Sequence, residues 1–196
     1  MDDPGSLIFS IVLLFLLILV NAFFAMSEMA IVSLNDNMID KLAEEGHKKA
    51  KKIKKLTENP SNFLSTIQIG VTLAGFLTSA SASTTFADLL TGAVLSINGG
   101  LAKFESVINA VSVVLITVII SYFSLVLGEL APKRIAMQKC EQISFKVVGV
   151  LLFIRALTRP FIKVLSVSTN LVVRMLGFDP NASEEVVTEE EIRMLV

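Results

Sequence analysis

Cysteine, histidine and tryptophan are nearly absent: 196 residues hold one Cys, one His and no Trp. Cys140 alone cannot close an intramolecular disulfide, and His47 alone cannot build a zinc site or a His-Glu-x-x-His motif. Redox, zinc and His-based triad chemistry are therefore excluded. No charge of either sign is in surplus, with 17 Lys+Arg against 18 Asp+Glu and a net charge of −1. With no basic excess to neutralise phosphates and no Trp to stack a base, nucleic acid is excluded as a partner. Charge itself is scarce: 18% charged against 53% hydrophobic residues, with a mean hydropathy of +0.71, does not suit a water-soluble domain.

What is present is a set of uncharged runs long enough to cross roughly 30 Å of hydrocarbon. Three qualify, Pro4 to Ser27, Asn59 to Ala87 and Ser106 to Gly128, predicting an all-α membrane protein with spans at about 6–34, 60–88 and 106–129. The first run opens with Asp2 and Asp3 where a secretory signal has Lys or Arg, and its apolar stretch continues past Asn21 toward Leu34, so a retained span is expected. A fourth apolar region, Ile143 to Phe178, carries Arg155, Arg159 and Lys163 on one helical face around Pro160. Each such cation costs about 2.5–3.5 kcal/mol at mid-bilayer on the insertion scale, so an amphipathic helix or helical hairpin lying in the interface is predicted for a juxtamembrane belt at about 133–178.

Seven lysines, Lys41, Lys48, Lys49, Lys51, Lys52, Lys54 and Lys55, crowd the segment from Asp36 to Glu58, which assigns it to the cytoplasmic side. The N-terminus is then outside and, after three spans, the C-terminus inside. Leu34, Met38, Leu42, Ile53 and Leu56 recur at helical spacing among those lysines, predicting a short interfacial helical segment facing anionic lipid. From Asp179 the chain turns acidic, and Thr188 followed by Glu191 has the spacing of a helix-capping box. Residues 179–196 are expected to be a linker and the start of a further cytosolic domain.

Polar groups inside the spans mark where chemistry could sit. Span one ends Asn21-Ala-Phe-Phe-Ala-Met-Ser27-Glu28, with Asn21 and Glu28 seven apart on one face. Ser27 or Glu28 lines an ion site, or Glu28 anchors the cytoplasmic end by pairing with a Lys. In span two, Gly70 with Ala74 and Gly75 with Ser79 are small-xxx-small pairs for close helix approach, and the many hydroxyls could instead serve a broken helix that coordinates a cation. Gly128-Glu129-Leu-Ala-Pro132-Lys133 ends span three, and Gly and Pro bracket the carboxylate, so the helix should bend or unwind there. Glu129 is either a cation ligand or an interfacial carboxylate held by Lys133 or Arg134. Carboxylate, hydroxyl and carbonyl oxygens without a soft ligand suit Mg²⁺, Ca²⁺ or Na⁺. No nucleophile, base and orienter stand at workable spacing, so an enzyme is not expected.

Four motifs in order, Asn21-Ala-Phe-Phe-Ala-Met-Ser27-Glu28, Asn59-Pro60 with Thr66-Ile-Gln68-Ile-Gly70, Gly128-Glu129-Leu-Ala-Pro132-Lys133 and Val187-Thr188-Glu-Glu-Glu191-Ile192-Arg193, resemble the CorC/CNNM (cyclin M) magnesium-transporter family over nearly the whole chain. The resemblance implies a homodimer in the cell membrane, each subunit with three spans and a belt of juxtamembrane helices. It further implies a nucleotide-binding CBS pair, the place for ATP, beyond this chain, and Mg²⁺ efflux coupled to Na⁺ entry. Carried over, Ser27 falls in the family's Ser-Glu motif and Glu129 is its third-span carboxylate, with Gly128, Thr72, Gly75 and Glu28 as the further metal candidates. Three positions depart from the common pattern: Ala25 stands where many members have a second serine, and Val71 and Gly75 where many have asparagines. Thr72 could replace one amide oxygen, whereas Gly75 offers only a carbonyl. The alternative function is a membrane-embedded Mg²⁺ or nucleotide sensor, or a scaffold, regulating another transporter.

Overall fold

The computed structural model describes residues 4–58, 60–97 and 103–178, without the side chains of residues 4, 6, 60–62 and 79–84. Among the described residues the chain forms seven α-helices and no strand. They are α1 (Pro4–Val32), α2 (Asp36–Glu44), α3 (Lys48–Thr57), α4 (Pro60–Ile97), α5 (Glu105–Leu125), α6 (Ala131–Gln138) and α7 (Cys140–Met175), with a π-helical turn (Val126–Leu130) between α5 and α6. The described residues form two compact units, dividing between Ile154 and Arg155. The acidic linker with its capping box, and the loop around Gly99 and Gly100, lie outside the described residues.

Among the described residues, two stretches, Leu7–Val32 and Glu105–Gln138, are long and apolar enough to cross a membrane. Along α4 the described side chains are apolar over Phe63–Thr78 and Thr85–Ile97, on either side of residues 79–84. That helix is longer than the span expected at 60–88: it continues nine residues past Asp88, whose Oδ1 accepts a 3.4 Å hydrogen bond from Asn109 Nδ2 on α5.

The first unit is built inside out relative to a soluble protein. Large apolar side chains line the outer faces of α1 and α5, with Phe9 67%, Phe15 61% and Val118 61% exposed. Asn21, Ser27, Thr66, Thr78 and Ser112 are meanwhile buried between helices. Water would penalise that arrangement, whereas lipid tails favour it, because helices in a bilayer associate through close packing and polar contacts. The molecule is a membrane protein.

The conventional core lies toward the lysine-rich end. Phe24 and Ile31 of α1, Ile39 of α2, Ile53 and Leu56 of α3, Phe63 and Ile67 of α4, and Val148 and Leu151 of α7 form one buried cluster. The lysine-rich segment is two helices, since Gly46 adopts φ +92° and closes α2, with its N–H bonded to Ala43 O and that of His47 to Leu42 O. His47 then caps α3, its Nδ1 accepting from the Ala50 N–H at 3.2 Å, and its ring lies 4.9 Å from that of Phe145. The apolar faces that predicted an interfacial segment are spent on protein: Ala50, Ile53 and Leu56 are buried, leaving most of the lysines outward. Lys54 reaches back to Asp40 at 2.7 Å, and that hydrogen bond and charge hold its ammonium above the usual lysine range.

In the second unit, residues 155–175 are helical through Pro160, so the helical-hairpin alternative is not adopted. Arg159 and Lys163 are exposed, as are Leu157, Phe161 and Leu165. Gly177, at φ +83°, ends the helix with the Phe178 N–H bonded to Val173 O.

Candidate cation site

The irregularity expected at Gly128 and Glu129 takes the form of a π-turn. The Ala131 N–H bonds to Val126 O, five residues back. Pro132 explains the widening, because it has no N–H to donate and its ring would crowd the carbonyl of Gly128 in regular α geometry. The helix keeps running while the carboxylate of Glu129 is rotated out of α register.

Gly128 faces α1. A β-carbon there would stand 3.0 Å from Asn21 Nδ2 and 3.5 Å from Ile18 O, so its absence lets the π-turn approach the α1 backbone. Gly70 of α4 makes the second close approach, against the ring of Phe24. These two glycines draw α4 and the π-turn onto successive turns of α1.

Between α1, α4 and α5 lies a cavity of about 450 Å³, lined by Asn21, Val71, Thr72, Gly75, Phe76, Ile120, Ser121, Ser124, Leu125 and Glu129. Of the residues singled out in the sequence, Glu129, Thr72 and Gly75 share this wall. Ser27, Gly128 and Glu28 are not in it. Ser27 is fully buried, and its Oγ has no hydrogen-bond partner among the described residues. Val71, one of the departures from the family pattern, contributes an apolar patch to the wall, and Ala25 is fully buried.

Three polar wall residues, Asn21, Ser121 and Ser124, were not among the sequence candidates. Asn21 is 95% buried by its 5% exposure, and its Oδ1 also lacks a partner among the described residues. An amide inside an apolar helix is costly unless used, and that was the available signal. Nothing in the spacing of Ser121 and Ser124 marks either of them in the sequence.

Glu28 and Glu129 are joined by Lys133. Its Nζ lies 3.0 Å from Glu129 Oε1 and 3.4 Å from Glu28 Oε2, with all three side chains about one-third exposed. The pairing foreseen as one alternative for each carboxylate is thus made to a single lysine. Asn21 and Glu28 do share a face of α1, but two turns separate them by about 10 Å, so one reaches the cavity wall and the other Lys133. Among the described residues no three His, Cys, Asp or Glu side chains cluster as metal ligands. A cation in the cavity would rest on one carboxylate and neutral oxygens, a donor set for a hard ion that keeps part of its water.

Comparison with known proteins agrees with the motifs. The family described as the cyclin M transmembrane N-terminal domain matches residues 11–196. The chain is 39% identical over 183 residues to the UPF0053 protein sll0260 of Synechocystis, covering 93% of this chain and 40% of that protein. It is 36% identical to the UPF0053 protein YhdT of Bacillus subtilis, covering 100% of this chain and 41% of that one. The UPF0053 inner membrane protein YfjD of Escherichia coli is 25% identical, over 90% of this chain and 37% of its own length. The chain thus spans about two-fifths of the length of these curated relatives. A membrane-type helical unit and a family match from residue 11 to residue 196 lead to one conclusion: the chain belongs to the CorC/CNNM (cyclin M) family and carries its transmembrane domain.

Proposed function

We propose that this chain is the ion-handling part of a transporter that moves Mg²⁺ out of the cell at the expense of Na⁺ entry. The observation that carries the reading is the cavity between α1, α4 and α5. One carboxylate, Glu129, stands there at a π-turn, with the hydroxyls of Thr72 and Ser124 and the amide of Asn21 in the same wall. Irregular backbone beside a charge in a membrane helix is tolerated where it serves a cavity, and π-turns recur at functional sites. A volume of about 450 Å³ holds an ion with several waters at about 30 Å³ each, which fits an Mg²⁺ that dehydrates reluctantly. Thr72 supplies a hydroxyl near the positions where many members carry asparagines, and Gly75 contributes its carbonyl.

In this reading α1, α4 and the α5–α6 segment are the three spans. The N-terminus is outside, and the lysines of α2 and α3 mark the cytoplasmic side. The exposed apolar faces of α5 and α7 serve lipid and a second subunit, and the helix from Arg155 onward forms the juxtamembrane belt. ATP, where it acts, binds a CBS pair beyond this chain.

The test is calorimetric titration of Mg²⁺ and then Na⁺ into the purified protein and its Glu129→Ala variant, followed by flux in liposomes containing this protein alone. Saturable Mg²⁺ binding lost in the variant, with flux in the wild type, is the expected result. Binding without flux would replace the transporter by the sensor or scaffold. Binding and flux that survive the substitution would remove Glu129 from the mechanism.

A further inference from the structure

We propose that Lys133 is a tethered counter-cation that sets the charge of the ion this site accepts. The inference rests on the reading that a cation binds at Glu129, and adds a specificity-determining residue outside the cavity wall. Lys133 Nζ stands between Glu129, at 3.0 Å, and Glu28, at 3.4 Å, so the cluster carries two negative charges and one positive. Its net charge of −1 is neutralised by a monovalent ion. A divalent ion leaves it at +1 and meets the ammonium at contact distance on Glu129, so it is disfavoured relative to a monovalent ion until the ammonium leaves that carboxylate.

Glu28 makes the withdrawal feasible. It lies on α1, two turns beyond Asn21, and is not in the cavity wall. Lys133 can therefore release Glu129 to an incoming ion and remain paired with Glu28. The flexible stem of lysine suits that exchange, and its ammonium is a point charge without the fixed fork of arginine. Two occupancies follow: a monovalent ion at Glu129 with Lys133 in place, or a divalent ion at Glu129 with Lys133 drawn to Glu28. Lys133 thus keeps Mg²⁺ binding weak enough to be reversible and lets Na⁺ occupy the same carboxylate.

The test is calorimetric titration of MgCl₂ and NaCl into the purified full-length protein and its Lys133→Met, Lys133→Arg, Glu28→Gln and Glu129→Gln variants. Lys133→Met is expected to raise Mg²⁺ affinity about tenfold or more and to raise the Mg²⁺-to-Na⁺ preference by a similar factor, because two carboxylates then await one divalent ion. Lys133→Arg keeps the charge and stays within about threefold of wild type. Glu28→Gln, which leaves Lys133 with Glu129 as its carboxylate partner, weakens Mg²⁺ binding about tenfold and serves where Lys133→Met does not fold. A Lys133→Met protein with unchanged affinity and preference, while Glu129→Gln loses binding, would overturn the role of Lys133 alone. Unchanged binding in Glu129→Gln would overturn the site and the inference together.

Discussion

The ring of Phe24 on α1 occupies the space that a side chain on Gly70 of α4 would need: a β-carbon at Gly70 would stand 2.5–2.7 Å from three of its ring atoms. Phe24 is itself buried and set edge-on to Phe23, with centroids 5.6 Å apart, so the ring has little room to yield. In a bilayer no hydrophobic force draws helix to helix, and this interlock supplies van der Waals packing in its place.

Gly70→Ala should therefore destabilise the protein by about 1–3 kcal/mol through overpacking, and the double variant with Phe24→Leu should recover part of the loss. Thermal unfolding in detergent checks both. An unchanged midpoint for Gly70→Ala would show that Phe24 is free to move.

Gly46 holds φ +92°, which a residue with a β-carbon adopts at a cost of about 1–2 kcal/mol. Gly46→Ala should lower stability by about 1 kcal/mol, and Gly46→Asn by less, because asparagine tolerates the left-handed region. Nothing near this glycine would clash with an added carbon, so the loss reads backbone conformation alone.

Asn21→Leu should separate stability from function. The substitution removes a buried amide oxygen that has no partner among the described residues, a group that costs about 1–3 kcal/mol when left unsatisfied. The unfolding midpoint is expected to hold or rise while Mg²⁺ binding weakens. A midpoint that falls with binding intact would make Asn21 a packing residue.

Pro132→Ala restores an N–H and removes the ring that crowds the carbonyl four residues back, so the π-turn can relax to α geometry and carry Glu129 away from the cavity. Helical content by circular dichroism should stay level while Mg²⁺ affinity drops about tenfold. Equal affinity would mean that the π-turn does not govern where the carboxylate stands.

Legible in residue order alone were the all-helical class, the long apolar stretches within α1 and α5–α6, the crowding of lysines on α2 and α3, and the irregular backbone at Gly128 and Pro132. Those features are local: apolar run length, helix caps and the missing N–H of proline act within a few residues. Helix packing was needed to seat Phe24 against Gly70, to gather Thr72, Gly75, Asn21 and Glu129 around one cavity, and to set one lysine between Glu28 and Glu129. In a span whose surroundings are apolar on every side, lipid and protein make the same demand of a side chain, so hydrophobic periodicity does not reveal which face meets which neighbour. The apolar stripe of the lysine-rich segment misdirected in the complementary way. Its spacing was legible, but protein and membrane could both cover it, and packing against α1, α4 and α7 settled the choice.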